Sequence, residues 1–358
     1  MSLGVRVKHL DGLRGLAILL VVTYHAFYRW NDIEPFSQPE IIRVLFKYGW
    51  LGVQLFFSIS GFVIFMSLDN NASLNEFIKK RWVRLFPLML LCSIFILIYS
   101  SFFNAFPHGK HVDFVDVIPG LIFVDPQTIN FFFDANAKSL DGAFWSIYVE
   151  VKFYIFVSFF YYFINDKKLI SIFSIYIIYL CSKVIDVFFF PDFFLYKALT
   201  YWGVNYYGWF LVGICLFQYK KYNDKRFVTA AVFIGLIGCL QLFGNSLEVF
   251  FLAMLLLSVF IISFFNEYVQ RFFSQKTMIF MGAISYPLYL FHQNFITSFS
   301  ILLGSDEKSI YGFPNLYPLI FIFVSILISI FLLRIEAALK NFSRYFFMKM
   351  KSSFETWC

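Results

Sequence analysis

Ten separate runs of roughly 20 apolar residues constrain this chain more than any other feature. The hydrocarbon core of a bilayer is about 30 Å thick, and a helix rising ~1.5 Å per residue crosses it in roughly 20 residues. The runs lie at 10–28, 48–67, 83–103, 143–164, 169–190, 203–218, 227–244, 247–265, 278–303 and 315–335. Backbone amides exposed to lipid have no water to bond, so segments of this kind are helical. The expected fold class is therefore all-α, a polytopic bundle of about ten transmembrane helices. A shorter apolar piece, 114–124, is interrupted by Pro119 and Gly120 and reads as interfacial or re-entrant. Gly244-Asn245-Ser246 makes a hairpin of the seventh and eighth runs.

Composition excludes the soluble alternatives. The chain is 60% hydrophobic and only 14% charged, where a soluble domain carries about 25% charged residues. That rules out a water-soluble globular domain and a disordered one. The net charge of +7 looks like a nucleic-acid footprint until its distribution is read. With ten spans both termini share one side. That side holds Arg6, Lys8, Lys79–Arg81, Lys167, Lys168, the cluster Lys220–Arg226, Arg271, Lys276 and the tail from Lys340 to Lys351. The opposite loops hold Arg29, Arg43, Lys47, Lys110, Lys138, Lys197 and Lys308. Seventeen against seven places both termini in the cytoplasm and the acidic loop 104–142 outside. The start of the chain has a basic, apolar leader-like character but no small-residue cleavage site, and reads as a retained helix. No repeat is evident. One membrane domain over 1–340 and a short basic cytoplasmic tail over 341–358 follow. Of the five cysteines, Cys92, Cys181, Cys215 and Cys239 lie in apolar runs and Cys358 ends the chain. Neither a disulfide framework nor a metal spacing emerges.

A charge at mid-bilayer costs about 2.5–3.5 kcal/mol on insertion scales, so each needs a partner, water or a task. Arg14 and His25, eleven residues apart, share one face of the first span roughly 16 Å apart along its axis. Asp11 lies on that face one turn before Arg14, and Gly15 and Ala17 flank it, leaving room for another helix or a ligand. Arg14 is then either an anchor paired with Asp11 or a ligand-binding cation. His25 is either an interfacial histidine or a base. In the fourth span Glu150 lies at nearly the depth of His25, with Ser146 one turn above and Tyr154 one turn below. It reads as an interhelical clamp, or as the acid that orients His25 and raises its basicity. Lys152 points to another face, where a different acid is a candidate packing partner, and its role stays open. Lys183 and Asp186 read as a pair within one helix, and Glu248 as an acid favouring a helix N-terminus. His108 and His111 read as solvated loop residues, and His292 as a pocket residue.

Five motifs in order resemble the membrane-bound acyltransferase family 3. HLDGLRGLAILLVVTYH carries an arginine and a histidine separated by ten residues, Arg14 and His25. LFFSISGFVIF, with Ser60 and Gly61, is similar to the second-span signature. KRWVRLFP supplies Arg81, Arg84 and Pro87. FWSIYVEVKFY supplies Trp145, Ser146, Glu150 and Tyr154, and ISYPLYLFHQ supplies Tyr289 and His292. The resemblance covers residues 9–295. It implies a ten-helix bundle around a polar pore, without the soluble esterase-like domain fused to some relatives.

What the resemblance implies chemically is transfer of an acyl group, most often acetyl, from cytoplasmic acyl-CoA to a hydroxyl. The acceptor is a sugar of a surface polysaccharide, lipopolysaccharide or lipid-linked glycan, and the setting a bacterial inner membrane. A sugar hydroxyl needs a base to attack a thioester. His25 fits that role, with Glu150 stabilising its imidazolium. No Gly-x-Ser-x-Gly elbow is present, so direct transfer is expected. Guanidinium forks suit phosphates, which assigns Arg14, Arg81 and Arg84 to coenzyme A. Asp11, Ser60, Trp145, Ser146, Tyr154, Tyr289 and His292 are expected to line the pocket, with no metal. Two rivals use the same polar face: an exporter of a glycan or acylated intermediate, and a structural partner of a polysaccharide synthase.

Overall fold

The computed structural model describes residues 7–30, 39–102, 112–166, 170–244, 246–304 and 317–355. His108, His111, Asn245, Lys110, Lys167, Lys168, Lys308 and Cys358 lie outside them, as do the side chains of the basic tail. Within the described residues the secondary structure is helical. In chain order the α-helices are α1 (Lys8–Phe27), α2 (Glu40–Phe46), α3 (Gly52–Asp69), α4 (Leu74–Phe102) and α5 (Val117–Ile122). Next come α6 (Pro126–Phe133), α7 (Trp145–Tyr162), α8 (Ile170–Phe188), α9 (Phe194–Tyr201) and α10 (Tyr207–Tyr222). The last are α11 (Arg226–Phe243), α12 (Leu247–Ile262), α13 (Glu267–Phe273), α14 (Lys276–Gly304) and α15 (Tyr317–Glu355).

Seven of the described segments are long and apolar enough to cross a membrane. The pair α12 and α13, bent by 101°, raises this to eight if it counts as one span. Two of the ten expected spans differ for physical reasons. Helix α10 has only 16 residues, and its segment from Tyr207 to Gln218 is buried on every side. A helix apolar all round and covered by protein is a core helix. Helix α14 has 29 residues, but its middle carries His292, Gln293, Asn294 and Thr297, too polar to face lipid. Along the apolar helices large side chains such as Ile155, Phe233, Phe251 and Phe331 are exposed, the pattern expected of a lipid-facing surface and costly in water. The piece around Pro119 forms the six-residue α5, too short to span.

The chain divides into two compact units. The first comprises Met1–Arg29, Glu40–Arg81 and Phe144–Ala283. Its centre is the pairing of α3 with α10, made close by small residues. A Cβ on Gly213 would overlap the Ser58 carbonyl, and one on Gly61 the Phe210 carbonyl. In lipid, where apolar side chains gain nothing by leaving their solvent, such backbone approach is a main source of helix association. Phe57, Phe153 and Phe210 then stack across the junction, with Phe153–Phe210 centroids 4.0 Å apart and Phe57–Phe210 centroids 4.7 Å apart.

The second unit comprises Trp30–Pro39, Trp82–Ala143 and Ile284–Cys358. Here Asp141, fully buried, accepts from the Ala143 amide at 2.8 Å and from the Asn294 amide, halfway along α14, at 3.1 Å. Asn294 answers by donating its side-chain amide to the Leu140 carbonyl at 2.8 Å. The loop before α7 is thus tied to the polar middle of α14. Helix α15 runs on to Glu355, so the basic tail 341–355 continues that helix.

Replacing Gly213 with Leu forces α3 and α10 apart. About 1–3 kcal/mol of stability should be lost, read as a lower Tm of the detergent-solubilised protein, whereas Gly244→Ala, in open space, leaves Tm unchanged. Burial pushes the Asp141 carboxyl up to about 7, against the pull of its two amide donors, from an ordinary value of 3.8. Between these values the folded chain holds a proton that the unfolded chain releases. Its contribution is therefore complete below the lower value and lost as pH rises through the upper. Tm should fall between pH ~5 and ~8, and Asp141→Asn should flatten that slope.

Candidate functional site

The half-buried His25 sits in the last turn of α1, and its ring folds back on its own helix. Nδ1 lies 2.9 Å from the Val21 carbonyl oxygen. A carbonyl only accepts, so Nδ1 carries the proton and Nε2 carries the lone pair. The Tyr24 ring meets the imidazole edge-on, with centroids 5.0 Å apart. Three turns away, Arg14 pairs with Asp11 at 3.3 Å, both side chains largely shielded. The local pair expected of these residues is therefore formed. The close approach expected at Gly15 is also real, since a Cβ there would overlap the Met278 carbonyl at the start of α14.

Glu150 lies one turn into α7. Its Oε1 accepts from the Ser60 hydroxyl of α3 at 2.5 Å and from the Tyr154 hydroxyl at 2.7 Å. Among the described residues these two are its hydrogen-bond partners, so the carboxylate is held by hydroxyls and does not bond His25. The sequence relation between Glu150 and Tyr154, one helical turn, supplies one donor. Ser60 comes from another helix, which no spacing announces. The Tyr154 ring carries the network further, because the Arg81 guanidinium stands 5.6 Å from its centroid and 5.5 Å from that of Phe77. Arg81 is 9% exposed, so it lies inside the bundle and not on an open mouth. Ser146 is buried, while Trp145 is exposed at one edge and packs on Tyr206 at 5.1 Å.

Two other intramembrane charges are explained by their neighbours. Lys152 donates to the Tyr201 carbonyl at 2.9 Å and stands over the Tyr201 ring at 4.3 Å. A cation there satisfies the C-terminus of α9. Asp186 accepts from the Phe193 amide at 2.8 Å. Among the described residues no ion pair joins it to Lys183, which corrects the expected pairing. Glu248 lies in the first turn of α12 as expected, and also accepts from the Tyr48 hydroxyl.

Arg84, Tyr289 and His292 belong to the second unit. Arg84 is exposed. His292 is fully buried, with Nδ1 3.1 Å from the Leu288 carbonyl and 3.0 Å from the Tyr289 carbonyl. Its tautomer is fixed as that of His25 is. The Tyr289 ring lies 5.7 Å away. Sequence reasoning missed Asp141, which reads as one more loop acid, and Asn294. Their signal was the polar triplet His292-Gln293-Asn294 inside an apolar run. Among the described residues no group of three His, Cys, Asp or Glu is arranged to hold a metal ion.

Comparison with known proteins follows the same line. The family model described as an acyltransferase domain, acyltransferase family 3, matches residues 7–334. A putative acetyltransferase, ORF330, of Acidianus two-tailed virus is 25% identical over 84% of this chain and 88% of its own length. The peptidoglycan O-acetyltransferase OatA of Listeria monocytogenes is 24% identical over 85% of this chain and 52% of its own. The O-acetyltransferase OatA of Staphylococcus aureus is 24% identical over 79% and 49%. The chain spans about half the length of these two OatA proteins. No solved structure matches.

Ser60→Ala and Tyr154→Phe each leave the Glu150 carboxylate with one donor. Each should cost about 1–3 kcal/mol, measured as Tm in detergent. The double variant should lose more than the sum, because the second loss strands the acid.

Proposed function

The chain belongs to acyltransferase family 3, and on that premise we propose that it moves an acetyl group from acyl-CoA to a sugar hydroxyl. The family and the apolar helices make it a multi-pass integral membrane acyltransferase. The acceptor class is a surface polysaccharide, lipopolysaccharide or lipid-linked glycan, in keeping with the relatives named as O-acetyltransferases. The proposed arrangement has ten membrane-embedded helices, including the buried α10 and the polar α14, around a hydrated path. In this proposal both termini face the cytoplasm, a reading supported by the seventeen-to-seven division of basic residues.

The observation that carries the mechanism is the Nδ1–H of His25 donating to the Val21 carbonyl. It leaves Nε2 as the proton acceptor at the end of α1 remote from Arg14. In the proposed step Nε2 takes the proton of the sugar hydroxyl as its oxygen attacks the thioester carbon. The carbon–sulfur bond breaks, the proton passes from the imidazolium to the departing thiolate, and an ester and free CoA result. Glu150 acts on the developing imidazolium charge through its field, since its hydrogen bonds go to Ser60 and Tyr154. Arg81 braces that carboxylate's partner Tyr154 from behind. Arg14, whose guanidinium is paired with Asp11, is the proposed first-unit contact to the phosphates of the donor. The roughly 16 Å between Arg14 and His25 is comparable to an extended pantetheine arm.

His25→Ala should abolish release of free thiol from acetyl-CoA in the presence of acceptor while the protein still inserts and purifies as a monodisperse species. Full turnover in that variant would reject the base. Arg14→Gln should raise the apparent KM for acetyl-CoA with a smaller effect on kcat. Movement of glycan without thiol release would instead make the protein an exporter.

A further inference from the structure

Beside His25, at the same end of α1, the first unit contains a cavity of about 340 Å³ lined by Tyr24, Tyr28, Lys47, Tyr48, Trp50, Ser246 and Val249. Its volume lies at the small end of ligand pockets, roughly 300–1,000 Å³, which suits a sugar ring better than a coenzyme nucleotide. Its chemistry is specific. Tyr24 and Tyr28, one turn apart on α1, stack with centroids 5.9 Å apart and planes 29° apart, giving one continuous aromatic wall. Trp50 adds a third ring. Around this wall stand the Lys47 ammonium, 4.9 Å from the Tyr48 ring, the Ser246 hydroxyl, and the Tyr48 hydroxyl bonded to the Glu248 carboxylate.

Tyrosine and tryptophan at span ends commonly serve as anchors in the headgroup layer. Anchors face lipid, however, whereas these rings are half-buried and converge on a cavity lined with a cation and hydroxyls. A pyranose presents an apolar C–H face, which stacks on the electron-rich face of an aromatic ring, and a rim of hydroxyls that bond donors and acceptors around it. Faces and rim match what the cavity offers. A phosphate would find the Lys47 charge opposed by Glu248. A simple acyl chain would leave the polar rim without partners.

We propose that this cavity is the acceptor subsite, holding one pyranose ring of the glycan against Tyr24 and Tyr28 so that a hydroxyl of it, or of its neighbour, reaches His25. Tyr24 links the two places directly, since it forms both the cavity wall and the edge contact with the imidazole. The assignment rests on the reading of the acceptor as a sugar and adds where that sugar is held.

The test uses the full chain in detergent on an immobilised panel of oligosaccharides built from neutral hexoses, N-acetylhexosamines and uronic acids, with phosphatidylglycerol vesicles as competitor. Wild type and His25→Ala should bind the same panel members. Tyr28→Ala should bind them about tenfold more weakly, Tyr28→Phe should recover most of the loss, and Lys47→Ala, a turn residue, should also weaken binding. Binding to no panel member, equal binding by Tyr28→Ala and Lys47→Ala, or displacement by the vesicles would overturn the assignment. Binding with this variant pattern, but without thiol release from acetyl-CoA, would leave the subsite standing and reject the transferase reading instead.

Discussion

Inside a bilayer every polar group must find its partner within the protein, because lipid supplies none. That constraint organises the structure more than any single apolar contact. The Asp141 carboxylate takes two backbone amides and Asn294 returns a bond to Leu140. Glu150 takes two hydroxyls, and Lys152 takes a helix-end carbonyl. His25 of α1 and His292 of α14 each give the Nδ1 proton to a carbonyl of their own helix. The apolar majority of the chain sets which segments are helices. The polar minority sets how they are pinned.

The same constraint bears on the base proposed at His25. An imidazole that satisfies one nitrogen within its own helix presents the other as a base without needing an acid to choose the tautomer. Glu150 is then released from that duty and is fixed by Ser60 and Tyr154. The network running from Ser60 through Glu150 and Tyr154 to the Arg81 guanidinium strings acid and cation along one partly buried chain, linked through the Tyr154 ring. Burial without such partners would be prohibitive.

What could be read in the sequence follows from the range of each interaction. Features set by a helical period are visible there, which is why the shared face of Asp11, Arg14 and His25 and the Glu150–Tyr154 step emerge from spacing alone. Features set by chain segments remote in sequence are not. Ser60 reaches Glu150 from ninety residues away, and Asp141 meets Asn294 across more than a hundred and fifty. Lys183 and Asp186 show the reverse failure, since correct local spacing lost to the better geometry of the Phe193 amide. The span positions were legible as helices, but hydropathy does not distinguish a helix facing lipid from α10, whose apolar surface is consumed by neighbours. It also undervalues α14, whose polar middle has partners inside the fold.

Arg14 and His25 ride on one unbroken helix, α1, and this has a consequence of its own. Their separation is set by covalent geometry and backbone hydrogen bonds, so neither bilayer thickness nor a shift of neighbouring helices changes it. Such a helix is a gauge. With the donor roles proposed for Arg14 and His25, a donor whose reactive carbon trails its anionic head by a different length would be turned away by reach alone, before any pocket has sampled its shape.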